Sequence, residues 1–235
     1  MSMRSAVLHH MGQLEYGRAL DLQHRIVENK IQSPSTPDHL IMLEHPPVFT
    51  LGKRGGRENL VVTAEFLQEK QISIFQTERG GNITFHGPGQ VVFYPIINIE
   101  QERIGVQDFV HGLEQMIINS LDDFGIISER SPKNHGVWVN DKKIASVGIS
   151  IRHGITFHGI ALNATMDLTP FSWINPCGMA NVKMTSILKE RVIQQIDSPD
   201  DPGFSLGDIQ DRLLEHFELF FNYSISQKNE NNPIQ

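Results

Sequence analysis

Apolar residues recur at helical spacing in three long stretches of the chain. The clearest is 106–124, where an apolar side chain returns every three or four positions, at Val106, Phe109, Val110, Leu113, Ile117, Leu121 and Phe124. Gly125 follows where a C-terminal cap belongs, and Ser205 with Asp208 has the spacing of a capping box before 206–220. The pattern predicts amphipathic helices over 14–29, 106–124 and 206–220, and a short helix over 64–70.

Other stretches have the period of two, or the short continuous apolar run, that is typical of strands. Buried strands are predicted at 39–43 and 91–99, and Pro95 inside the second run implies an edge strand or a bulge. Later in the chain, turn-prone residues separate three strand patterns. These predict an antiparallel meander with strands at 136–140, 143–151 and 155–165.

Helices that alternate irregularly with hairpins indicate the α+β class rather than a doubly wound parallel sheet. We expect one domain over residues 1–225, with a mixed or antiparallel sheet and flanking helices. The polar tail at 226–235 is predicted to be disordered.

Composition narrows the function classes. The net charge of −7 and the pI near 5.9 argue against nucleic-acid binding through a broad basic face, because such binding needs many clustered Lys and Arg. The single cysteine cannot form an intramolecular disulfide, which fits a reducing compartment. The first 20 residues lack the apolar core of a signal peptide, and no run approaches the roughly 18 apolar residues of a membrane span. We therefore expect a cytoplasmic protein with no nucleic-acid or membrane partner.

Cys177 and Lys143 are the candidate reactive residues. Cys177, the only cysteine, lies between a proline and a glycine in a loop-like stretch, although a lone cysteine is by default a small buried hydrophobic residue. Lys143 begins a strand pattern, and alternation places it on the apolar face with Ala145, Val147, Ile149 and Ile151. A lysine on such a face either extends to the rim or stays in a pocket with a lowered pKa.

If Lys143 and Cys177 meet, they form a nucleophilic pair. An ammonium group lowers the pKa of a neighbouring thiol and favours the thiolate. A thiolate accepts acyl groups, and a lysine that is neutral for part of the cycle takes the proton of an incoming amine. The pair is therefore suited to acyl transfer, with an oxyanion hole whose backbone amides the sequence does not locate.

Residues 79–90, RGGNITFHGPGQ, carry four glycines around one strand-like segment. Glycine at this density marks positive φ or close approach of the backbone to a ligand, although a plain hairpin also explains it. His86 and His158 with Cys177 form a conceivable three-ligand zinc site, but no short ligand spacing supports it, and we expect no metal. A Cys–His hydrolase has no local signature either. The two histidines are expected to shape the pocket by hydrogen bonding.

Several segments together resemble one known family. RGGNITFHGPGQVVFYP, KIASVGISIRHGITFHGIALN, and INPCGM followed by MTSI are similar to the three signature blocks of the lipoyl(octanoyl) transferases, or octanoyl-[acyl-carrier-protein]:protein N-octanoyltransferases. LEHPPVFTLG and LEYGRALDLQ extend the resemblance over most of residues 14–190.

The resemblance implies an α+β fold shared with biotin and lipoate protein ligases, and a two-step reaction without a cofactor. An octanoyl group would leave an acyl carrier protein, rest as a thioester on Cys177 and pass to a lysine of a lipoyl domain. Lys143 would lower the pKa of the thiol and handle protons. The implied partners are octanoyl-acyl carrier protein, the lipoyl domains of 2-oxoacid dehydrogenase E2 subunits and the glycine cleavage H protein. The residues implied to bind substrate are Arg79, Gly80, Gly81, Asn82, Ile83, Thr84, Phe85, His86, Ser146, Val147, Gly148, His158, Gly159, Ile160 and Ala161.

Two alternatives remain open. An ATP-dependent lipoate or biotin ligase would use the same fold to activate a free acid as an adenylate, and that chemistry needs no thiol. A non-enzymatic carrier-binding module would need neither Lys143 nor Cys177. An acidic carrier protein would need local basic residues for docking, and the candidates are Lys53, Arg54, Arg57, Lys142, Lys183 and Lys189.

Overall fold

The structure is a computed structural model, and it describes residues 3–132, 134–175, 182–195 and 203–227. Cys177 and residues 228–235 lie outside the described residues. The helices are α1 (Tyr16–Gln32), α2 (Ala64–Glu69), α3 (Val106–Asp122), α4 (Ile187–Gln194) and α5 (Leu206–Phe221). Two short 3-10 helices cover Arg57–Asn59 and Thr169–Trp173.

The strands form one large mixed sheet and one small sheet. They are β1 (Arg4–Gln13), β2 (Asp38–Glu44), β3 (Val48–Leu51), β4 (Ser73–Gln76), β5 (Ile83–His86), β6 (Gln90–Ile96), β7 (Glu129–Arg130), β8 (Val137–Val139), β9 (Lys142–Arg152), β10 (Ile155–Asn163), β11 (Lys183–Met184) and β12 (Tyr223–Gln227). The large sheet has the order β12-β1-β2-β6-β10-β9-β8-β7, and β11 also pairs with β9. β1 runs parallel to both of its neighbours, whereas β2, β6, β10, β9 and β8 alternate in direction. The small sheet has the order β4-β3-β5.

Helices cover both faces of the large sheet. α1 buries Ile26 against apolar side chains such as Val92 on one face. On the other face α3 and α5 pack on the sheet, and the rings of Phe93 and Phe217 meet at 5.3 Å. A third apolar cluster around Phe49 joins the small sheet to α2 and the second 3-10 helix. The predicted α+β architecture, a mixed sheet with flanking helices, is confirmed, while the domain boundary at residue 225 stays a prediction.

The helices predicted over 14–29, 64–70, 106–124 and 206–220 are confirmed, with ends that differ by up to three residues. The capping box is complete, because the Ser205 side chain accepts the Asp208 N–H at 3.2 Å and the Asp208 carboxylate accepts the Ser205 N–H at 2.7 Å. The antiparallel meander is also confirmed as β8, β9 and β10.

Pro95 lies in a central strand, so the edge-strand alternative was wrong. The register of β6 with β10 pairs Phe93 with Ile160 and, beyond Pro95, bridges Asn98 to Ile155. This register sets Pro95 opposite His158, whose φ is +57°. A proline has no N–H for the ladder, and the regular pairing is interrupted at this point.

Several elements had no clear sequence pattern, among them β1, α4 and β12. β1 is interrupted by polar residues, α4 is only two turns long, and β12 follows α5 directly. β12 extends through Gln227, so residues 226 and 227 of the predicted tail belong to the sheet.

Candidate active site

A cavity of about 490 Å³ lies between the glycine-rich segment 79–84 and the paired strands β9 and β10. Gly148 and Gly159 are cross-strand partners in this wall. A Cβ on Gly148 would lie 3.1 Å from the Gly80 carbonyl oxygen, and one on Gly159 only 2.1 Å from the Phe93 carbonyl oxygen. The glycines therefore let backbone segments of the protein approach each other closely at this wall of the cavity.

The cavity brings together most of the predicted substrate-binding residues. Those that line it are Arg79, Gly80, Gly81, Asn82, Ile83, Thr84, His86, Ser146, Val147, Gly148, His158, Gly159, Ile160 and Ala161, together with Lys143. Phe85 is not among the lining residues, because its ring packs in the third apolar cluster, 5.1 Å from Phe49 and 5.8 Å from Phe171. Cys177 lies outside the described residues, so its meeting with Lys143 stays a prediction.

Other lining residues were not among the predicted substrate-binding residues. They are Tyr16, Arg54, Tyr94, Val110, Asn134, His135, Ile149 and Met184. Tyr16 belongs to the apolar stripe of α1, and Tyr94 belongs to the continuous apolar run of β6. Each pattern indicates core packing, and nothing local in the sequence separates these tyrosines from core residues.

Lys143 does not share the apolar face to which alternation assigned it. The pairing of β8 with β9 shifts by one residue, since Val137 pairs with Ala145 and Trp138 with Lys143. Ile144 and Ala145 both belong to the large apolar core. This register shift is a β-bulge, and a bulge changes the face to which the neighbouring side chains point. The bulge explains why Lys143, 4% exposed, lines the cavity with Ser146.

The loop before β8, which contains Gly136, lies against the Lys143 side chain. Its ammonium lies 5.6 Å from the centre of the Trp138 ring, within the range of a cation–π contact. Gly136, with φ +116°, lies so close that an added Cβ would be 2.7 Å from the Lys143 Cε. The buried Glu114 carboxylate accepts the Gly136 N–H at 2.8 Å. These contacts hold the loop against the lysine.

β11 leads the chain back to Lys143 after the segment that contains Cys177. The described chain stops at Asn175, where the backbone N–H donates to the Asn59 carbonyl at 2.8 Å. It resumes at Val182 and pairs Met184 with Lys143. Both ends of the segment 176–181 are thus attached to the body of the protein.

Buried hydrogen bonds fix the glycine-rich segment. The Arg79 guanidinium donates to the Thr50 carbonyl at 2.7 Å, to the Thr50 hydroxyl at 2.9 Å and to the Gly80 carbonyl at 3.0 Å. The Thr50 hydroxyl lies 3.4 Å from His86 Nε2, and His86 Nδ1 lies 2.7 Å from Gln90 Oε1. Burial holds the pKa of His86 well below its usual range. A neutral ring that donates from Nδ1–H to Gln90 fits both contacts.

The same hydrogen bonds continue toward Lys143. Gln90 Nε2 donates to Asn163 Oδ1 at 2.9 Å, and Asn163 Nδ2 donates to the Thr185 carbonyl at 3.0 Å. The Thr185 N–H donates to the Lys143 carbonyl at 2.9 Å. One buried polar network therefore links the substrate segment to the backbone of the candidate catalytic lysine.

Glu190 on α4 terminates this network. Its carboxylate, 1% exposed, accepts hydrogen bonds of 2.5 Å from both the Thr185 hydroxyl and the Lys142 ammonium. Burial raises the pKa of Glu190, but the hydrogen bonds from Lys142 and Thr185 outweigh burial and lower it. The charged carboxylate joins α4 to β9 one residue before Lys143.

Aromatic and imidazole groups line the far end of the cavity. Tyr16, Tyr94 and His158 are each at most 4% exposed. His45 packs behind them, with Nδ1–H donating to the Leu14 carbonyl at 2.6 Å and Nε2 accepting from the Tyr94 hydroxyl at 2.8 Å. Burial lowers the pKa of His45 to about 4 and raises the pKa of Tyr16 to about 12. These groups are uncharged at neutral pH.

His158 differs from the other histidines of the site. Its backbone N–H donates to Gln23 Oε1 at 2.7 Å. Both ring nitrogens are buried, and neither has a hydrogen-bond partner in the described part of the chain. Burial lowers the pKa of His158 to about 3, so the ring is neutral and presents one donor and one acceptor.

Within the described ranges, no group of three or more His, Cys, Asp or Glu residues is placed to hold a metal ion. The zinc alternative also involves Cys177, which is not among the described residues. No helix in these ranges has both the length and the apolar character that a membrane span requires.

Comparison with known proteins gives consistent matches. Residues 15–218 match the family model of the lipoyl protein ligase A/B catalytic domain. An octanoyltransferase of Syntrophobacter fumaroxidans is 44% identical over 229 residues, which cover 94% of this chain and 99% of the relative. An octanoyltransferase of Desulfotalea psychrophila is 44% identical over 182 residues, covering 77% of this chain and 82% of the relative.

Solved structures show the same fold. A lipoate-protein ligase A bound with ATP gives a TM-score of 0.73 at 13% identity, covering 97% of this chain and 90% of the ligase. A biotin protein ligase from Aquifex aeolicus gives a TM-score of 0.50 at 10% identity, covering 93% and 69%. The predicted likeness to the folds of lipoate and biotin ligases is confirmed, and at these identities the likeness concerns the fold alone.

Proposed function

The chain belongs to the octanoyltransferase family, and from that premise we propose that it moves an octanoyl group from octanoyl-acyl carrier protein to a lysine of a lipoyl domain. The reaction passes through a thioester on Cys177, with Lys143 as its proton carrier. The acceptors are the lipoyl domains of 2-oxoacid dehydrogenase E2 subunits and the glycine cleavage H protein, and the compartment is the cytoplasm.

The observation that carries the proposal is the placement of Lys143. Its side chain is buried in the wall of a cavity whose opposite wall is the glycine-rich segment. β11, the first strand after Cys177 along the chain, pairs directly with Lys143. A buried amine in the wall of a polar cavity is placed to hold charge and to move protons, and the Cys177 segment is attached on both sides to this region.

The first half of the reaction loads Cys177. Its thiolate attacks the carbonyl carbon of the octanoyl thioester, a new C–S bond forms, and the bond to the carrier thiol breaks. The Lys143 ammonium gives its proton to the departing carrier thiolate. Cys177 is then acylated and Lys143 is neutral.

The second half returns the enzyme to its starting state. The amine of the acceptor lysine attacks the Cys177 thioester and forms the amide, and Cys177 leaves as a thiolate. Lys143 takes the proton that the amine loses and becomes an ammonium again. Charge and protons balance over the cycle, and neither ATP nor a cofactor is consumed.

The same fold also supports ATP-dependent ligases, so the test must separate transfer from ligation. We expect incubation with octanoyl-carrier protein, without ATP, to add one octanoyl mass to the protein, and hydroxylamine to remove it. Intact-mass and peptide mass spectrometry should locate the adduct on Cys177. Cys177→Ala should remain unmodified, and it serves as the matched control.

Three outcomes would contradict the proposal. A hydroxylamine-sensitive adduct that persists in Cys177→Ala would exclude the thioester on that residue. Transfer to a lipoyl domain that strictly requires ATP and free octanoate would favour the ligase. A protein that binds the carrier but forms no adduct and modifies no acceptor would be a binding module.

A further inference from the structure

The cavity has an exposed end and a buried end. At the exposed end, His135 reaches solvent, and Lys143 lies beneath the loop that carries His135. At the other end, Tyr16, Tyr94 and His158 are almost completely buried. On β9, the cross-strand partner of His158 is Ile149, six positions beyond Lys143. The cavity therefore extends along the two strands from the lysine to the buried histidine.

This direction fixes the orientation of an acyl chain under the proposed function. The carrier protein and its prosthetic arm are too large to enter the buried end, so they approach from the exposed side. The reacting carbonyl then lies near Lys143, and the alkyl tail extends toward Tyr94 and His158. The terminal methyl group faces the buried end of the cavity.

The buried end is polar, which is unusual for the end of a pocket that accepts an alkyl chain. The Tyr94 hydroxyl is satisfied by His45. His158 Nδ1 and Nε2 and the neighbouring Gln23 Nε2 have no hydrogen-bond partner among the described residues. A buried donor or acceptor without a partner is destabilising, and such groups in native proteins are ordinarily satisfied by water or a ligand.

The backbone holds His158 in this position at an energetic cost. Its φ of +57° is in the left-handed region that disfavours residues with a Cβ other than Asn and Asp. The conformation is fixed by the hydrogen bond from its N–H to Gln23 and by Pro95, which occupies the facing position without an N–H. Strained backbone that surrounding contacts enforce is a feature of ligand sites.

We propose that His158 is a specificity-determining residue that limits the length of the acyl chain. The neutral imidazole keeps a small hydrogen-bonding partner, such as water, at the end of the cavity. An octanoyl tail stops short of this partner, whereas a longer tail must displace it and leave both ring nitrogens buried against methylene groups. The inference rests on the proposed function, since it presupposes that the cavity holds the acyl chain.

The experiment compares two variants that change polarity and size separately. His158→Leu removes the hydrogen-bonding groups, while His158→Asn keeps a donor and an acceptor, is smaller than histidine and tolerates positive φ. The measurement is the ratio of kcat/KM for decanoyl- over octanoyl-carrier protein in the acylation of Cys177. Because both substrates meet the same preparation, the fraction of folded enzyme cancels in the ratio.

We expect His158→Leu to raise the decanoyl-to-octanoyl ratio about tenfold or more, the scale set by one unpaired buried polar group. His158→Asn should leave the ratio within about threefold of the wild type, because its side chain still needs a polar partner. Equal increases in both variants would show that cavity volume sets the length, and an unchanged ratio in both would exclude His158; either result overturns the inference.

One further variant replaces His158→Leu if that protein does not fold, and another serves as a control. If His158→Leu does not fold, His158→Met removes the same polar groups with a more flexible side chain and is read in the same way. Ile209→Val alters a buried residue of α5 that does not line the cavity, and it should leave the ratio unchanged. Failure of the proposed function has a separate signature, since wild-type protein would then form no octanoyl adduct on Cys177 at all.

Discussion

Burial of neutral histidines makes the site sensitive to acid. The pKa of His45 is about 4 in the folded protein, against 6.5 for an unperturbed histidine. Between these values the unfolded chain binds a proton that the folded protein does not bind, so stability falls as the pH drops from about 6.5 to about 4. At pH 5 the depressed pKa of His45 lowers the free energy of unfolding by about 2 kcal/mol.

The variant His45→Gln should remove this contribution, because glutamine can also donate to Leu14 and accept from Tyr94 without titrating. Urea unfolding at pH 7 and pH 5 should show a loss of stability on acidification that is smaller by about 2 kcal/mol than in the wild type. His111→Gln, at an exposed position on α3, is the matched control and should behave like the wild type. Identical pH dependence in His45→Gln and wild type would refute the assignment.

Lys143 is the residue on which the proposed chemistry depends most directly. Lys143→Ala should slow acylation of Cys177 by about 100-fold or more, the usual range for loss of a positioned acid or base. Single-turnover measurement with octanoyl-carrier protein reads this step alone. Lys183→Ala, which changes an exposed lysine on the adjacent strand, should retain the wild-type rate. Equal rates for wild type and Lys143→Ala would remove the proposed role.

The sequence predicted that Lys143 is important, but it did not predict which face of β9 carries the Lys143 side chain. Strict alternation from Ile151 back to Lys143 placed the lysine on the apolar face. The one-residue bulge at Ile144 changes that parity, and a bulge depends on pairing with β8 rather than on any residue in β9. Tertiary pairing of this kind cannot be obtained from the periodicity of one strand.

At the scale of elements, α4 and β11 connect the Cys177 segment to the sheet. Glu190 is the main polar link, because it accepts from Lys142 on β9 and from Thr185 after β11. Glu190→Ala should lower the free energy of unfolding by about 2 kcal/mol, less than for a fully buried pair, because Lys142 is 19% exposed. Urea unfolding at neutral pH measures this loss.

A double variant tests whether the loss comes from the ion pair. Glu190→Ala with Lys142→Met should lose less stability than the sum of the single changes, since each single change leaves the partner unsatisfied. Glu215→Ala breaks an exposed pair with Arg212 and should change stability by no more than about 0.5 kcal/mol. Strictly additive losses would mean that Glu190 stabilises the protein independently of Lys142.

α4 also shows where element prediction from sequence failed. Its apolar residues Leu188, Val192 and Ile193 are exposed, and only Ile187 enters the core. The usual relation between apolar spacing and the buried face therefore does not hold in this helix. By contrast, α3 and α5 bury long apolar stripes, and both were predicted nearly to their ends.

At the scale of the whole molecule, the acidic chain must still attract an acidic carrier protein. The structure divides five of the six basic candidates into two groups, and the sixth, Lys189, is exposed on α4. Lys142 and Lys183 already form ion pairs with Glu190 and Asp141. Lys53 and Arg54 are exposed on the loop that follows β3, and Arg57 is exposed at the start of the first 3-10 helix. No ion pair of these three residues occurs among the described residues, and Arg54 reaches the cavity.

Arg54→Glu should raise the KM for octanoyl-carrier protein about tenfold, and the difference from wild type should shrink at high salt. The kcat at saturating carrier should change little, because the residue acts on docking. Lys183→Glu, at one of the ion-paired positions, is the comparison and should raise the KM much less. A larger effect of Lys183→Glu would indicate that the carrier docks near β11 rather than near the loop after β3.

The family resemblance was carried by continuous segments of the sequence. Residues 79–95 and 143–163 supply two walls of the cavity, so the similarity of these segments to a known family pointed to the right region. The third wall includes Tyr16 from α1, whose place beside the cavity depends on how α1 packs on the sheet. Such long-range packing leaves no local mark in the sequence.

The parallel pairing of β1 with β12 means that one edge of β1 is covered only late in synthesis. Arg4 lies beside Tyr223, so the first and last described strands are neighbours at one margin of the sheet. During synthesis β1 can pair with β2 early, but its other edge stays uncovered until the chain has been made through Gln227. An uncovered strand edge is a template for association with other chains. β12, a strand of five residues, then replaces the ten-residue β1 as the margin of the sheet, so the nascent protein presents the longer edge until its last described strand is made.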